Sequence, residues 1–224
     1  ERLVRKFDWF VVLTQEDMQM WGEMPGIRVI PNAANFIAEK YSDCSAKRVI
    51  AVGRLDYQKS FDRLIRVWEK VHQQMPDWRL DIFGQGEWKE MLQGMIDERG
   101  LQETVKLNGP TKNIGQEYSE SSMIVMSSHY EGFPMVMIEA MACGLPAVSF
   151  DFKCGPRDII KEGENGLVVK DGDIDGLAKA MMTLMRDDEL RRKMGENAKR
   201  VVETFSEAKV MDKWVRLYEE TIAD

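Results

Sequence analysis

Cysteine is scarce in this 224-residue sequence: Cys44, Cys143 and Cys154 stand far apart, with no C-x-x-C spacing. That excludes the usual zinc-site pattern and a disulfide framework, and it fits a reducing, cytoplasmic setting. Long apolar runs are also missing. None approaches the roughly 18 residues of a membrane span, and no signal-peptide pattern opens the chain. Positive charge is in deficit, with 31 Lys and Arg against 38 Asp and Glu and a formal net charge of −7. This argues against a general nucleic-acid or anionic-membrane surface, although a local basic pocket stays open. There is no internal repeat and no low-complexity segment. The chain begins at Glu1 without an initiator Met, which reads as a piece of a longer protein.

What is present is a regular alternation. Short β-branched runs, RVIAV (48 to 52), RLDIF (79 to 83), TVKLN (104 to 108), MIVMS (123 to 127), PAVSF (146 to 150) and GLVV (166 to 169), alternate with segments of helical period. Six such runs predict parallel βαβ units and a doubly wound α/β sheet. FDRLIRVWEKVHQQM carries Leu64, Val67, Trp68 and Val71 at helical spacing, and EWKEMLQGMIDERG ends on Gly100 as a C-cap would. From Ile174 to Ala223 the helical period predicts three helices, broken near Asp187 and near Phe205 and Ser206. Residues 1–32 stand apart from this series, with FDWFVVLT strand-like, Thr14 placed as a helix cap, and IRVIPNA a strand stopped by Pro31.

In such a sheet, ligands bind beyond the carboxyl ends of the strands. The first loop there, GRLDYQKS (53 to 60), stops short of a phosphate-binding P-loop because Gln58 stands where G-x-x-x-x-G-K-[ST] needs glycine. It still offers Gly53 and the cations Arg54 and Lys59. The following loops bring Gly84 and Gly86, then GPTKNI (109 to 114), then SHYEGFP (128 to 134) before a helix starting near Met135. Cations, close-approach glycines and a helix start together suit a diphosphate. Glu131 and Glu139 frame that helix start; they are either ligand contacts or partners of the helix dipole. Gly84 and Gly86 either approach a ligand or close a turn. His129 reads as a packed histidine, not a catalytic one.

The elements VGRLDYQKS, LDIFGQGE, NGPTKNI, SSHYEGFPMVMIEAMACGLPAVSFD, CGPRDII and ENGLVV follow one another in a set order over residues 26–172. This series resembles the donor-binding half of retaining family-4 glycosyltransferases of GT-B fold, which carry a Glu, seven residues, Glu element. The resemblance implies a nucleotide-sugar donor, with Arg54, Lys59 and the N–H groups of Met135 and Val136 on its diphosphate. It further implies Glu139 on the ribose, backbone near Lys112, Asn113 and Ile114 facing the base, and Glu131 on the transferred sugar. Gly53, Gly84, Gly86, Gly132, Phe133 and Pro134 belong to the donor loops. FDFKCGPRDII resembles members that use UDP-hexoses or UDP-hexosamines.

The implied reaction is hexosyl transfer with retention to a saccharide or lipid-linked acceptor, without a metal or other cofactor. In this reading residues 1–32 are the tail of an N-terminal acceptor domain and a hinge, and residues 33–205 the donor domain. Residues 206–224 form a helix crossing back toward the missing domain. The chain alone is expected to be inactive, its helix around Trp214 to Tyr218 poorly settled for want of a docking surface. The complete enzyme would be cytoplasmic or peripheral to the inner membrane. A nucleotide-sugar epimerase of related fold and a non-catalytic nucleotide-binding module remain rival readings. A NAD-dependent oxidoreductase is weaker, because the first loop lacks G-x-G-x-x-G. Asp171 and Asp173 spell D-x-D, yet Asp173 stands before a helical segment as an N-cap would. Met123, Met126 and Met181 fall at core positions.

Overall fold

The computed structural model describes residues 7–22, 24–34, 36 and 38–223, so the ends of the expected 1–32 and 206–224 segments lie outside it. Two parallel sheets organise the chain. The smaller pairs β1 (Phe10–Val12) with β2 (Ile27–Val29), joined by α1 (Gln15–Trp21). Thr14 caps α1 as its sequence position predicts, its hydroxyl accepting from the Asp17 N–H at 3.0 Å.

The larger sheet contains β3 (Arg48–Val52), β4 (Arg79–Phe83), β5 (Val105–Gly109), β6 (Met123–Met126), β7 (Ala147–Asp151) and β8 (Gly166–Lys170). These are the six runs read from the sequence, shifted by a residue at some ends. Their order across the sheet is β5-β4-β3-β6-β7-β8, all parallel. The order therefore runs outward from β3 in one direction and outward from β6 in the other, the arrangement of a dinucleotide-binding doubly wound sheet. Val49, Ile50 and Ala51 of β3 are fully buried, as a strand covered on both faces requires.

The crossovers form two packed groups. α2 (Phe61–Gln74) lies against α3 (Lys89–Glu98) and α7 (Ile174–Arg186), and α5 (Met135–Ala142) lies against α4 (Ile114–Ser119), α8 (Asp188–Ala198) and α9 (Val201–Phe205). Leu64, Val67, Trp68 and Val71 form the wholly buried stripe of α2. Short α6 (Pro156–Ile159) follows β7.

Two expectations need correction. The C-terminal segment holds four helices, because α8 ends in a tight turn in which Arg200 N–H reaches Asn197 O at 3.2 Å. That turn swings Val201 and Phe205 into the core, where Phe205 packs 5.5 Å from Phe133. α10 (Glu207–Ala223) does find a docking surface: Val210 and Leu217 are buried with Ile30, beside Trp9, Val11 and Trp214. The Trp9 indole N–H donates to Thr221 Oγ1 at 2.7 Å.

Because Phe205 fills the contact between α9 and the loop before α5, Phe205→Ala should destabilise the chain by about 3–5 kcal/mol in urea denaturation. A loss near zero would show that α9 is not part of the cooperative core.

Candidate functional site

β3 and β6 are in register only at Val49 with Met123 and Ile50 with Ile124, whereas β3 pairs with β4 through Val52. The loops that follow β3 and β6 meet, and beside that contact a crevice opens beyond the carboxyl ends of β3, β4 and β5. The neighbouring loops are laced by backbone bonds: Gly53 N–H to Phe83 O at 2.9 Å, Gly84 N–H to Gly109 O at 3.0 Å, and Leu55 N–H to Gln85 O at 3.0 Å. A Cβ at Gly84 would collide with the Gly53 carbonyl, and one at Gly86 with that of Leu55. Both glycines therefore serve loop-on-loop packing, with Gly84 also on the wall of the crevice.

That crevice is a cavity of about 390 Å³ bounded by Gly53, Arg54, Phe83, Gly84, Ile114, Tyr118 and Glu139, among others. Larger hollows of about 720 and 740 Å³ lie by Ala34 and Met211 and by Met18 and Ile27. The smaller crevice is the better candidate, since it sits at the strand-order reversal and carries convergent polar groups.

Glu131 is brought to Lys59 by the approach of the 53–60 and 127–134 loops. The Lys59 ammonium lies 2.6 Å from Glu131 Oε1, with side-chain exposures of 14% and 7%. Ser128 Oγ donates to the same oxygen at 2.7 Å, and Gln58 Nε2 donates to Oε2 at 3.2 Å. Arg54 is exposed; it pairs with Asp56 at 3.1 Å and donates to Gln58 Oε1 at 3.0 Å. The two cations expected on the donor diphosphate are thus each matched by a carboxylate here. An exposed pair like Arg54 with Asp56 is worth at most about 1 kcal/mol, so an anion can displace it.

Glu139 projects from α5 into the crevice wall, where the buried Tyr118 hydroxyl donates to Oε2 at 3.4 Å. Burial raises the Glu139 carboxyl above its ordinary range, only partly opposed by the Tyr118 bond. Burial and the Glu139 charge together push the Tyr118 phenol well up, and they hold the Cys143 thiol up to about 12. Cys143 is accordingly no nucleophile.

At the start of α5, Met135 N–H is taken by Phe133 O at 2.9 Å, and Met137 N–H by Pro134 O at 3.0 Å. Val136 N–H has no backbone acceptor among the described residues. Phe133 is buried, Pro134 packs against Gly155, and Gly132 is exposed with open space beside it. Of the residues expected at the base, Ile114 lines the crevice, while Lys112 and Asn113 line an adjacent cleft of about 360 Å³.

Tyr118, Gln58 and Ser128 were not singled out by sequence reasoning for these contacts, which join residues up to 73 positions apart. Asp173 caps α7, accepting from Gly176 N–H at 2.8 Å, and Asp171 pairs with Arg63. Among the described residues, no three His, Cys, Asp or Glu side chains cluster as a metal site. Met123, Met126 and Met181 are buried.

The family profile described as Glycosyl transferases group 1 matches residues 35–201. The chain belongs to the group 1 glycosyl transferases. An amylovoran biosynthesis glycosyltransferase of Erwinia amylovora is 36% identical over 214 residues, 91% of this chain and 60% of that protein. An exopolysaccharide phosphotransferase of Streptomyces coelicolor is 34% identical over 222 residues, 96% of this chain but 24% of that protein. A mutant of S. aureus TarM, crystallised with fondaparinux, alpha-GlcNAc-glycerol and UDP, superposes with a TM-score of 0.86 at 28% identity. The match covers 96% of this chain and 44% of TarM. This group 1 chain thus spans between about a quarter and three fifths of the length of these relatives.

Glu139 yields a pH-dependent expectation. Its raised carboxyl means the folded state is penalised when the group is charged, and the penalty is full above the raised value. Glu139→Gln should therefore raise the melting temperature at pH 7, and the gain should fade as pH falls through that raised value toward the ordinary 4.5. A variant less stable than wild type at pH 7 would contradict the burial argument.

Proposed function

We propose that this group 1 chain is the donor-binding half of a retaining glycosyltransferase, moving a hexose or hexosamine from a UDP-sugar to a saccharide or lipid-linked acceptor. The observation that carries the reading is the crevice beyond the carboxyl ends of β3, β4 and β5, with Arg54 and Glu139 in its wall, together with the Lys59–Glu131 pair on the loops that follow β3 and β6. The nucleotide would enter beside Ile114, its ribose hydroxyls donating to Glu139. The diphosphate would meet Arg54, Lys59 and the free N–H of Val136 at the start of α5, where the helix dipole adds positive potential. Glu131 would then face the sugar.

Departure of the nucleoside diphosphate concentrates negative charge on the leaving oxygen. Preorganised cations and N–H groups stabilise that charge as it develops, and no metal is assigned a role. Lys59 can turn toward phosphate without stranding Glu131, which keeps Ser128 and Gln58 as donors. Retention is supported by the alpha-GlcNAc-glycerol and UDP bound together in TarM, since UDP-hexoses of this kind are themselves α-linked. We assign residues 33–205 to donor binding and residues 1–32 and 206–224 to the junction with an acceptor domain. The small β1–β2 sheet and α10, which pack on one another, support that division. The setting we propose is the cytoplasm or the cytoplasmic membrane surface; no helix among the described residues is long and apolar enough to cross a membrane.

UDP at a hundred times its dissociation constant should stabilise the chain by about 2.7 kcal/mol, with and without EDTA. A larger thermal shift with GDP or ADP would overturn the base assignment, and loss of the UDP shift on chelation would overturn metal independence. Donor sugar epimerised by the chain alone would favour the epimerase, and a complete protein that binds UDP yet transfers no sugar would favour the binding module.

The carboxylates should separate in calorimetry. Glu139→Ala should weaken UDP itself about tenfold, the loss of one charged hydrogen-bond pair, while Glu131→Gln leaves UDP nearly unchanged and weakens only the sugar nucleotide. Equal losses of UDP affinity in both would overturn the division of roles.

A further inference from the structure

We propose that His129 is a positioning residue that fixes the loops carrying Lys59 and Glu131 through a hydrogen-bond chain of one direction. What the ion pair does rests on the donor-site reading above; the chain itself does not. An arginine has only donors, so Arg63 Nη1, 2.9 Å from His129 Nδ1, makes that nitrogen an acceptor. The ring proton therefore sits on Nε2, which lies 3.1 Å from Ser60 Oγ and donates to it. Ser60 in turn donates to Asp62 Oδ1 at 2.9 Å. Every group in the series acts in the one direction its chemistry allows.

The series holds a strained joint. Ser60 is fully buried with φ +51°, in the left-handed region that disfavours any residue but glycine. Such a conformation persists where its surroundings overdetermine it. Here the His129 N–H also donates to Gln58 O at 2.8 Å, and Ser127 Oγ bonds the carbonyls of Lys59 and Ser60, each at 3.1 Å. His129 thus grips the loop on both sides of Lys59, and it stands two positions before Glu131. Its own place is fixed by Tyr57 within the 53–60 loop and by Arg63 outside it. Tyr57 stacks on the ring at 4.5 Å, while Arg63 is held by Asp171 and lies 4.3 Å over Phe150. Removing the ring would leave the buried Arg63 guanidinium short of an acceptor and Ser60 short of a donor. The relaxation would reach Lys59 first, and orientation errors of about 1 Å near a reacting centre cost on the order of a hundredfold.

The test begins in the ligand-free chain with the 13C signal of the Glu131 carboxyl. His129→Phe keeps the stack on Tyr57 and removes both ring hydrogen bonds. It should shift that signal, as should Arg63→Leu, while Arg63→Lys, which keeps a donor, should return it toward the wild-type position. Ring 15N shifts should place the His129 proton on Nε2. A second arm crosses His129→Phe with Glu131→Gln in calorimetry of UDP-glucose and UDP. His129→Phe should weaken UDP-glucose about tenfold when Glu131 is present and distinctly less in the Glu131→Gln background, where only the Lys59 contact is left to lose. A merely structural histidine would lower the melting temperature, leave the carboxyl signal in place and give additive losses; that result overturns the proposal. If wild type binds neither nucleotide, the donor reading falls and the carboxyl signal alone decides the role of His129. If His129→Phe does not fold, the Arg63 variants make the same decision.

Discussion

The reversal of strand order between β3 and β6 is the constraint on which the site depends. The two central strands stay in register for only two residue pairs, and beyond them the loops that follow meet, His129 N–H on Gln58 O and Lys59 on Glu131, so that a crevice opens beside that contact. The crevice is lined by Gly53 and Arg54 after β3, the glycine loop after β4, Pro110, Thr111, Ile114 and Tyr118 after β5, and Glu139 on α5. Gly84 and Gly86 let the first two loops meet backbone to backbone, so the position of Arg54 and Lys59 is set by packing and not by the cations themselves.

Electrostatics follows from that packing. The protein is acidic overall, and each cation at the crevice is matched by a carboxylate, Arg54 by Asp56 and Lys59 by Glu131. The pairs differ in depth. Breaking a buried pair by leaving one partner bare costs about 3–5 kcal/mol, but Glu131 has Ser128 and Gln58 in reserve, so Lys59 can exchange partners at a much smaller cost. Glu139 is set differently. It sits in a desolvated wall with one long bond from Tyr118 and is the carboxylate with acceptor capacity to spare.

Much of the fold was legible because buried parallel strands announce themselves as continuous β-branched runs, and all six are found where RVIAV, RLDIF and their successors stand. Thr14 and Asp173 were readable as caps for a similar reason: capping is local chemistry, settled within three residues. The split between α8 and α9 was not legible, since Val201 and Phe205 keep an apolar period while the axis turns beneath them. The site divides likewise. The loops and the two glutamates could be placed from their order along the chain, but the partner of Lys59 lies 72 residues away and no local pattern encodes it. Lys112 and Asn113 fell beside the crevice because they precede α4, which begins at Ile114 and turns Ile114 and Tyr118 inward. His129 reads as a packed residue and is one; what the sequence hides is that its packing joins Arg63 to Ser60 across the two loops.

Hydrogen–deuterium exchange with and without UDP tests the central claim most directly, because it asks where the nucleotide lies without assuming which residues matter. Protection confined to residues 53–60, 84–86, 110–114 and 135–139 is the result expected of a nucleotide held at the strand-order reversal. Protection centred instead on the larger apolar hollow by Ala34, Val202 and Met211, with the β3 and β6 loops unchanged, would contradict it.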